Sequence, residues 1–197
     1  LVLNCGGSSV KYQLVEMPEE TVMARGSVER IGKDDAQLQL EVPGNQAIRR
    51  ILPVADHGVA IRLALEALTD AETGVIESFT EIDAVGHRVV HGGEKCTGSL
   101  MVDDQVIAVL REFYDLAPLH NPPNVEGIEV CQRLMPNTPM VAVFDSSLHQ
   151  TVPAYAHIYA IPYRYYEEYR VRRYGFHGIT FRYMTQRAAE LLQRPLK

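Results

Sequence analysis

Most of the first 42 residues repeat with a period of two, and that pattern commits the chain to open on antiparallel strands. Residues 1–3 form an apolar run, Asn4-Cys5-Gly6-Gly7-Ser8-Ser9 turns the chain, and residues 10–15 alternate again. Residues 21–30 and 36–42 carry further alternating patterns, separated by Pro18, Gly32 and Pro43. A start built from hairpins is not the strand–helix opening of a dinucleotide-binding domain. From Asp56 the period changes. Asp56 can cap a helix running to Leu68, with Val59, Leu63 and Ala67 along one face and Ile61, Leu65 and Leu68 beside it. Residues 82–90 read as a buried strand, 104–116 and 124–134 as helices, 139–144 as a short central strand, and 180–192 as a last helix. Strands alternating with helices after a hairpin-rich start predict a mixed α/β sheet covered by helices.

A chain of 197 residues is one domain, or one domain and part of a second. Hydrophobic residues at 46% and charged residues at 22% exclude a disordered chain. Nineteen Lys and Arg against 25 Asp and Glu give a net charge of -6, with no basic run. That balance argues against nucleic acid or an anionic membrane as a partner. The apolar run at residues 140–144 falls far short of the roughly 20 needed to span a bilayer, and no leader pattern is present. Cys5, Cys96 and Cys131 are odd in number and widely spaced, which fits a reduced, cytoplasmic setting better than a disulfide framework or a zinc site. Eight of the ten tyrosines fall between Tyr155 and Tyr183, a cluster read as packing and interface rather than a ligand site.

Five segments could carry chemistry. In Asn4-x-Gly6-Gly7-Ser8-Ser9-x-Lys11 the glycines admit a phosphate close to backbone amides, and serine and lysine add donors and charge. It is not a P-loop, since a strand follows, and the same residues also suit a polar hairpin turn. In His87-Arg88-Val89-Val90-His91, Arg88 and Val90 share one face of a strand and the histidines share the other. An arginine beside a small apolar wall suits a short carboxylic acid. On a strand the two histidines lie roughly 13 Å apart, too far to share a metal, and hydrogen bonding within the fold is their expected role. Leu119-His120-Asn121-Pro122-Pro123-Asn124 reads as a rigid turn that aims His120, with Asn124 as helix N-cap. Asp145 falls at the carboxyl end of a central strand, where open α/β sheets bind ligands. A hydrolase triad of Asp145, a serine and His149 would need a glycine-flanked serine elbow, and none is present. His177 sits between glycines, open to a ligand.

Together with Gly86–Lys95, Ala117–Asn124, Val143–Thr151 and Tyr174–Gly178, the Asn4–Lys11 segment resembles the acetate kinase (acetokinase) family in five motifs in the same order. The resemblance implies an actin-like fold of the acetate and sugar kinase, Hsp70 and actin superfamily, with a ribonuclease H-like mixed sheet and flanking helices. It implies reversible phosphoryl transfer from ATP to acetate, giving acetyl phosphate and ADP, with magnesium or alternatively manganese. By that resemblance Asn4 helps hold the metal, and Lys11 and Ser9 serve the nucleotide phosphate. Arg88 binds acetate, and Val90, Leu119 and Phe176 line its methyl pocket. Asp145 is the active-site acid/base, and His120 and His177 contact the transferring phosphoryl. Gly7 replaces a usual serine, Ile179, Thr180 and Phe181 a usual Thr-Ser-His, and Leu148 a usual aromatic. The resemblance spans the amino-terminal half of the family. Residues 1–150 are then the acetate-side domain and 151–197 the start of a truncated nucleotide-binding domain. It implies a homodimer at full length and an isolated chain with little or no turnover. Alternatives are a propionate or butyrate kinase of the same family and a non-catalytic carboxylate- or phosphate-binding remnant.

Overall fold

A computed structural model describes residues 1–196. Strands β1 (Val2–Gly6), β2 (Ser9–Glu16), β3 (Thr21–Glu29), β4 (Lys33–Glu41) and β5 (Ile48–Val54) run antiparallel in chain order. On the other side of β1 lie β6 (Val85–Val89) and β8 (Met140–Phe144), both parallel to it. The short β7 (Leu100–Met101) closes that edge antiparallel to β8. The sheet order is β5-β4-β3-β2-β1-β6-β8-β7. The chain thus leaves β1 in one direction through hairpins and returns to its other flank, which makes the β1/β6 junction a topological switch point.

The first hairpin is tighter than its sequence suggests. Asn4 and Cys5 belong to β1, and only Gly7 and Ser8 lie between the strands. Strand alternation therefore governs the pair: Leu3 and Cys5 enter the core, while Asn4 faces the opposite side, across from Lys11. β5 and β7 were not legible as strands, since Ile48-Arg49-Arg50-Ile51 is largely exposed and β7 is only two residues long. The strand expected over 82–90 is shorter, because Phe79–Glu81 forms a 3-10 turn fixed by Ser78 and Glu81 as a capping box.

Helix α1 (His57–Leu68) starts where expected, with Asp56 accepting from the Val59 amide at 2.8 Å. Helix α2 (Asp104–Glu112) ends four residues before the expected 116. Helix α3 (Asn121–Leu134) starts three residues before the expected 124, with Pro122 and Pro123 in its first turn and His120 at the N-cap position. Asn124 is therefore inside the helix and caps nothing. α1 and α3 pack against one face of the sheet, burying Ile61, Leu65 and Leu68 against Leu3, Val10, Val28 and Leu40. A second cluster joins Val89 and Phe144 to Ile107, Leu110 and Ile128 of α2 and α3. After β8 come the short α4 (Ala154–His157) and α5 (Arg164–Tyr169), then α6 (Gly178–Leu192). Of the tyrosine cluster only Tyr174 is fully buried. Among the described residues no helix is long and apolar enough to cross a membrane.

α3 lies close on β1 because Gly127 faces it: a Cβ there would stand 2.5 Å from Cys5 Sγ. Alanine in a helix interior gains about 1 kcal/mol over glycine, whereas overpacking a tight core costs about 1–3 kcal/mol. With Cys5 buried at 4% exposure and unable to move aside, the clash wins. Gly127→Ala is expected to lower unfolding free energy by about 1 kcal/mol in urea titration. A gain in stability would show that α3 has room to lift.

Candidate active site

The carboxyl ends of β1, β6 and β8 bring three polar side chains to one point. Arg88 Nε and Nη2 donate to Asp145 Oδ1 and Oδ2 at 3.1 and 2.6 Å, and Nη1 donates to Asn4 Oδ1 at 3.0 Å. Asp145 is nearly sealed, with its side chain 3% exposed, while that of Arg88 is 32% exposed. A guanidinium has five N–H donors. Asp145 and Asn4 take three, so two remain for a ligand, and the bidentate pair fixes the plane in which they lie.

Arg88 borders a cavity of about 360 Å³. Val90, Leu116, Ala117, Leu119 and Phe176 give it an apolar wall, and His120, Asp145 and His177 add polar groups. Arg88 and Val90 both reach it, as their shared strand face predicts, while His87 and His91 turn into the protein. His177 takes a left-handed φ of 58° at the N-cap position of α6, and its Nδ1 lies 3.8 Å from Asp145 Oδ2. Gly178 makes this approach feasible: its amide donates to Asp145 O at 2.8 Å, and a Cβ would stand 2.6 Å from that oxygen. Ser9 and Lys11 lie along β2 and do not line the cavity, although Gly7 brings the hairpin tip near Leu119.

The hydrolase triad does not form. Ser147 Oγ donates to Phe144 O, Ser146 Oγ accepts from the Gly92 amide, and His149 Nε2 pairs with Phe176 O. Sequence reasoning missed a set of buried amides. Asn124 bonds Val90 N and Cys5 O, and Asn121 bonds both the amide and the carbonyl of His91. The only signal was two asparagines three apart beside Pro122 and Pro123, which also describes a capped turn. The expected hydrogen bonding of His87 and His91 is incomplete, since both Nε2 atoms lack a partner. His91 Nδ1 accepts from the Gly93 amide at 2.9 Å, so its ring is the neutral Nε2–H form. That ring meets Tyr174 and Phe176 edge-on at 4.4 and 5.4 Å, and so backs the cavity wall.

Among the described residues no three His, Cys, Asp or Glu side chains gather as a metal site. Asn4 and Asp145 offer hard oxygen donors, a sparse set suited to a magnesium ion that arrives on phosphate oxygens and keeps its waters.

A mixed sheet covered by helices, with a cavity at the switch point, defines an actin-like domain of the acetate and sugar kinase, Hsp70 and actin superfamily. The chain belongs to the acetokinase family, whose model matches residues 1–197. It is 55% identical over 197 residues to the acetate kinase of Caldanaerobacter subterraneus subsp. tengcongensis, covering 100% of this chain and 49% of that protein. The crystal structure of Porphyromonas gingivalis acetate kinase superposes with a TM-score of 0.93 at 45% identity, covering 99% of this chain and 49% of that one. A propionate kinase from Francisella tularensis gives 0.89 at 34% identity, covering 98% and 49%. The chain thus spans about half the length of the curated relatives it matches.

Burial pushes both His87 and His91 down to about 4, helped at His91 by Arg172. The unfolded chain, with histidines near 6.5, takes up protons first as pH falls. Stability is therefore full above about pH 6.5 and is lost toward pH 4. At pH 5 each histidine is expected to cost about 2 kcal/mol, read as a lower urea midpoint than at pH 7.5. Equal midpoints at the two pH values would show that these imidazoles are not held neutral.

Proposed function

We propose that this chain forms the acceptor half of an enzyme that moves a phosphoryl group reversibly between ATP and acetate, giving ADP and acetyl phosphate. The observation that supports it most is a fixed guanidinium with two N–H groups left over, placed at the edge of a small apolar cavity. A short carboxylic acid has the matching parts, an anionic head for Arg88 and a methyl group for Val90, Leu119 and Phe176.

Acetate is ionised at neutral pH, so its attack on phosphorus needs no general base. The task is instead to align two anions and to neutralise charge as the phosphoryl group passes in line. In this reading Asp145 acts by holding Arg88, not by taking a proton. His177 and His120 face the transferring group, and Lys11 and Ser9 face the nucleotide phosphates along β2. Magnesium bound to the nucleotide would neutralise phosphate charge, and Asn4 and Asp145 are the oxygen donors that would hold it. Residues 1–150 hold the whole sheet and form the acetate-side domain, and residues 151–197, which include α4, α5 and α6, open a nucleotide-binding domain. The full protein is read as a homodimer. Three buried free cysteines suit the reducing cytoplasm.

Propionate is the competing acceptor, favoured by the likeness to a propionate kinase. The Val90 side chain narrows the wall on which a longer acid would lie. Val90→Ala is expected to move selectivity toward propionate by about 1–3 kcal/mol, measured as a ratio of specificity constants in the full-length enzyme.

Titration calorimetry of acetate on the 197-residue chain tests the reading itself. Arg88→Ala should abolish binding, and Arg88→Lys should keep part of it, since lysine retains the charge but not the fork. Equal heats from the unsubstituted chain and Arg88→Ala would remove acetate from this site and leave a phosphate-binding module as the better description.

A further inference from the structure

The parallel ladder between β1 and β6 stops early. Its last pair is Leu3 with His87, and its rungs slant from a β6 amide to a β1 carbonyl, as from Gly86 N to Leu1 O at 2.8 Å. Continued two residues at a time, that series reaches Arg88 with Leu3 and then Val90 with Cys5. The Val90 amide does not bond Cys5. Instead the side chain of Asn124 occupies the rung: its Oδ1 accepts from Val90 N at 3.0 Å, and its Nδ2 donates to Cys5 O at 2.6 Å.

A carboxamide carries the donor and acceptor of a peptide group, so a side chain from α3 stands where a strand would. Asn124 thus bridges β1 and the end of β6 beyond the last pair of their ladder. Asn124 is 2% exposed, and its removal orphans one buried amide and one buried carbonyl unless the strands close the gap. The residues it bonds are neighbours of the site. Cys5 follows Asn4, whose oxygen accepts from Arg88, and Val90 lines the cavity.

We propose that Asn124 is a positioning residue for the acceptor site: its carboxamide splits β1 from β6 and so sets the width at which Asn4, Arg88 and Val90 frame the cavity. For its ligand, this rests on the acetate reading above. Asn121 provides the comparison. It also makes two buried bonds to the same loop, from His91 N at 3.2 Å and to His91 O at 2.9 Å, but both fall on one residue and bridge no strands.

The test uses the 197-residue chain, labelled with nitrogen-15 and carbon-13, and its Asn124→Leu and Asn121→Ala variants. In the unsubstituted chain, coupling through the hydrogen bond should connect Val90 nitrogen to the side-chain carbonyl carbon of Asn124. In Asn124→Leu it should move to the Cys5 carbonyl carbon, and the Arg88 Nε–H resonance should shift as Asn4 loses its place. Acetate affinity should fall on the order of tenfold, because small displacements of a binding group are costly. Asn121→Ala loses as many bonds, yet should leave the Arg88 resonance in place and change affinity by about twofold or less. No coupling between Val90 and Asn124 in the unsubstituted chain overturns the proposal, as do equal effects of the two variants on Arg88 and on acetate. If the coupling is present but the unsubstituted chain binds no acetate, the acetate reading fails. The Arg88 resonance then decides alone: a shift confined to Asn124→Leu supports the positioning role, and a shift common to both variants overturns it. Should the leucine variant not fold, Asn124→Asp keeps the acceptor for Val90 and repels Cys5 O, and the same Arg88 shift is expected.

Discussion

The bidentate pair between Arg88 and Asp145 is the contact around which the site is built. Asp145 is buried, and a buried carboxylate without a partner is costly enough that breaking such pairs commonly loses about 3–5 kcal/mol. The sheet therefore has to deliver Arg88 from β6 to the residue that follows β8. It does so through the parallel register that sets Arg88 against Val143 and Val89 against Phe144, beneath which the second core cluster packs. Once the pair is made, the guanidinium cannot turn, and its two remaining donors have a fixed direction. The orientation of the donors at the cavity is thus set by a contact made within the protein.

Around that pair lies a layer of buried amides and hydroxyls that binds backbone rather than ligand. Asn121, Asn124 and Ser146 hold successive residues of the loop from Val90 to Gly92. Each is nearly fully buried, so the loop is over-determined and Val90 has little freedom to recede from the cavity. On the other side, Arg172 bonds Glu94 at 2.6 Å and Tyr166 bonds the same carboxylate, which anchors the segment leading to Phe176 and His177. His91, neutral and wedged among Phe113, Tyr174 and Phe176, ties the two halves of this frame together.

The covalent order of residues carried much of this. Alternation placed Arg88 and Val90 on one face, and the run before Asp145 placed it at a strand end, where the structure has it. Helix α1 began at its acidic cap as read. The errors share a cause. Asn4 read as part of a turn because glycines follow it, and Asn124 as an N-cap because prolines precede it, yet both side chains answer to partners that are distant in sequence. β5 escaped notice because an edge strand needs no buried alternation.

What the sequence determined by itself is local: period, caps, the order of strands and helices, and the residue types able to meet a carboxylate. Such features depend on neighbours a few positions away, where chain geometry limits the choices. Tertiary structure alone decided which polar groups spend their hydrogen bonds on the fold and which keep some for a ligand. Arg88 pairs with a carboxylate 57 residues away and Asn124 with a carbonyl 119 residues away, and no local rule ranks those partners above water. Burial does, because a polar group removed from solvent must find a partner or lose the free energy of its hydration.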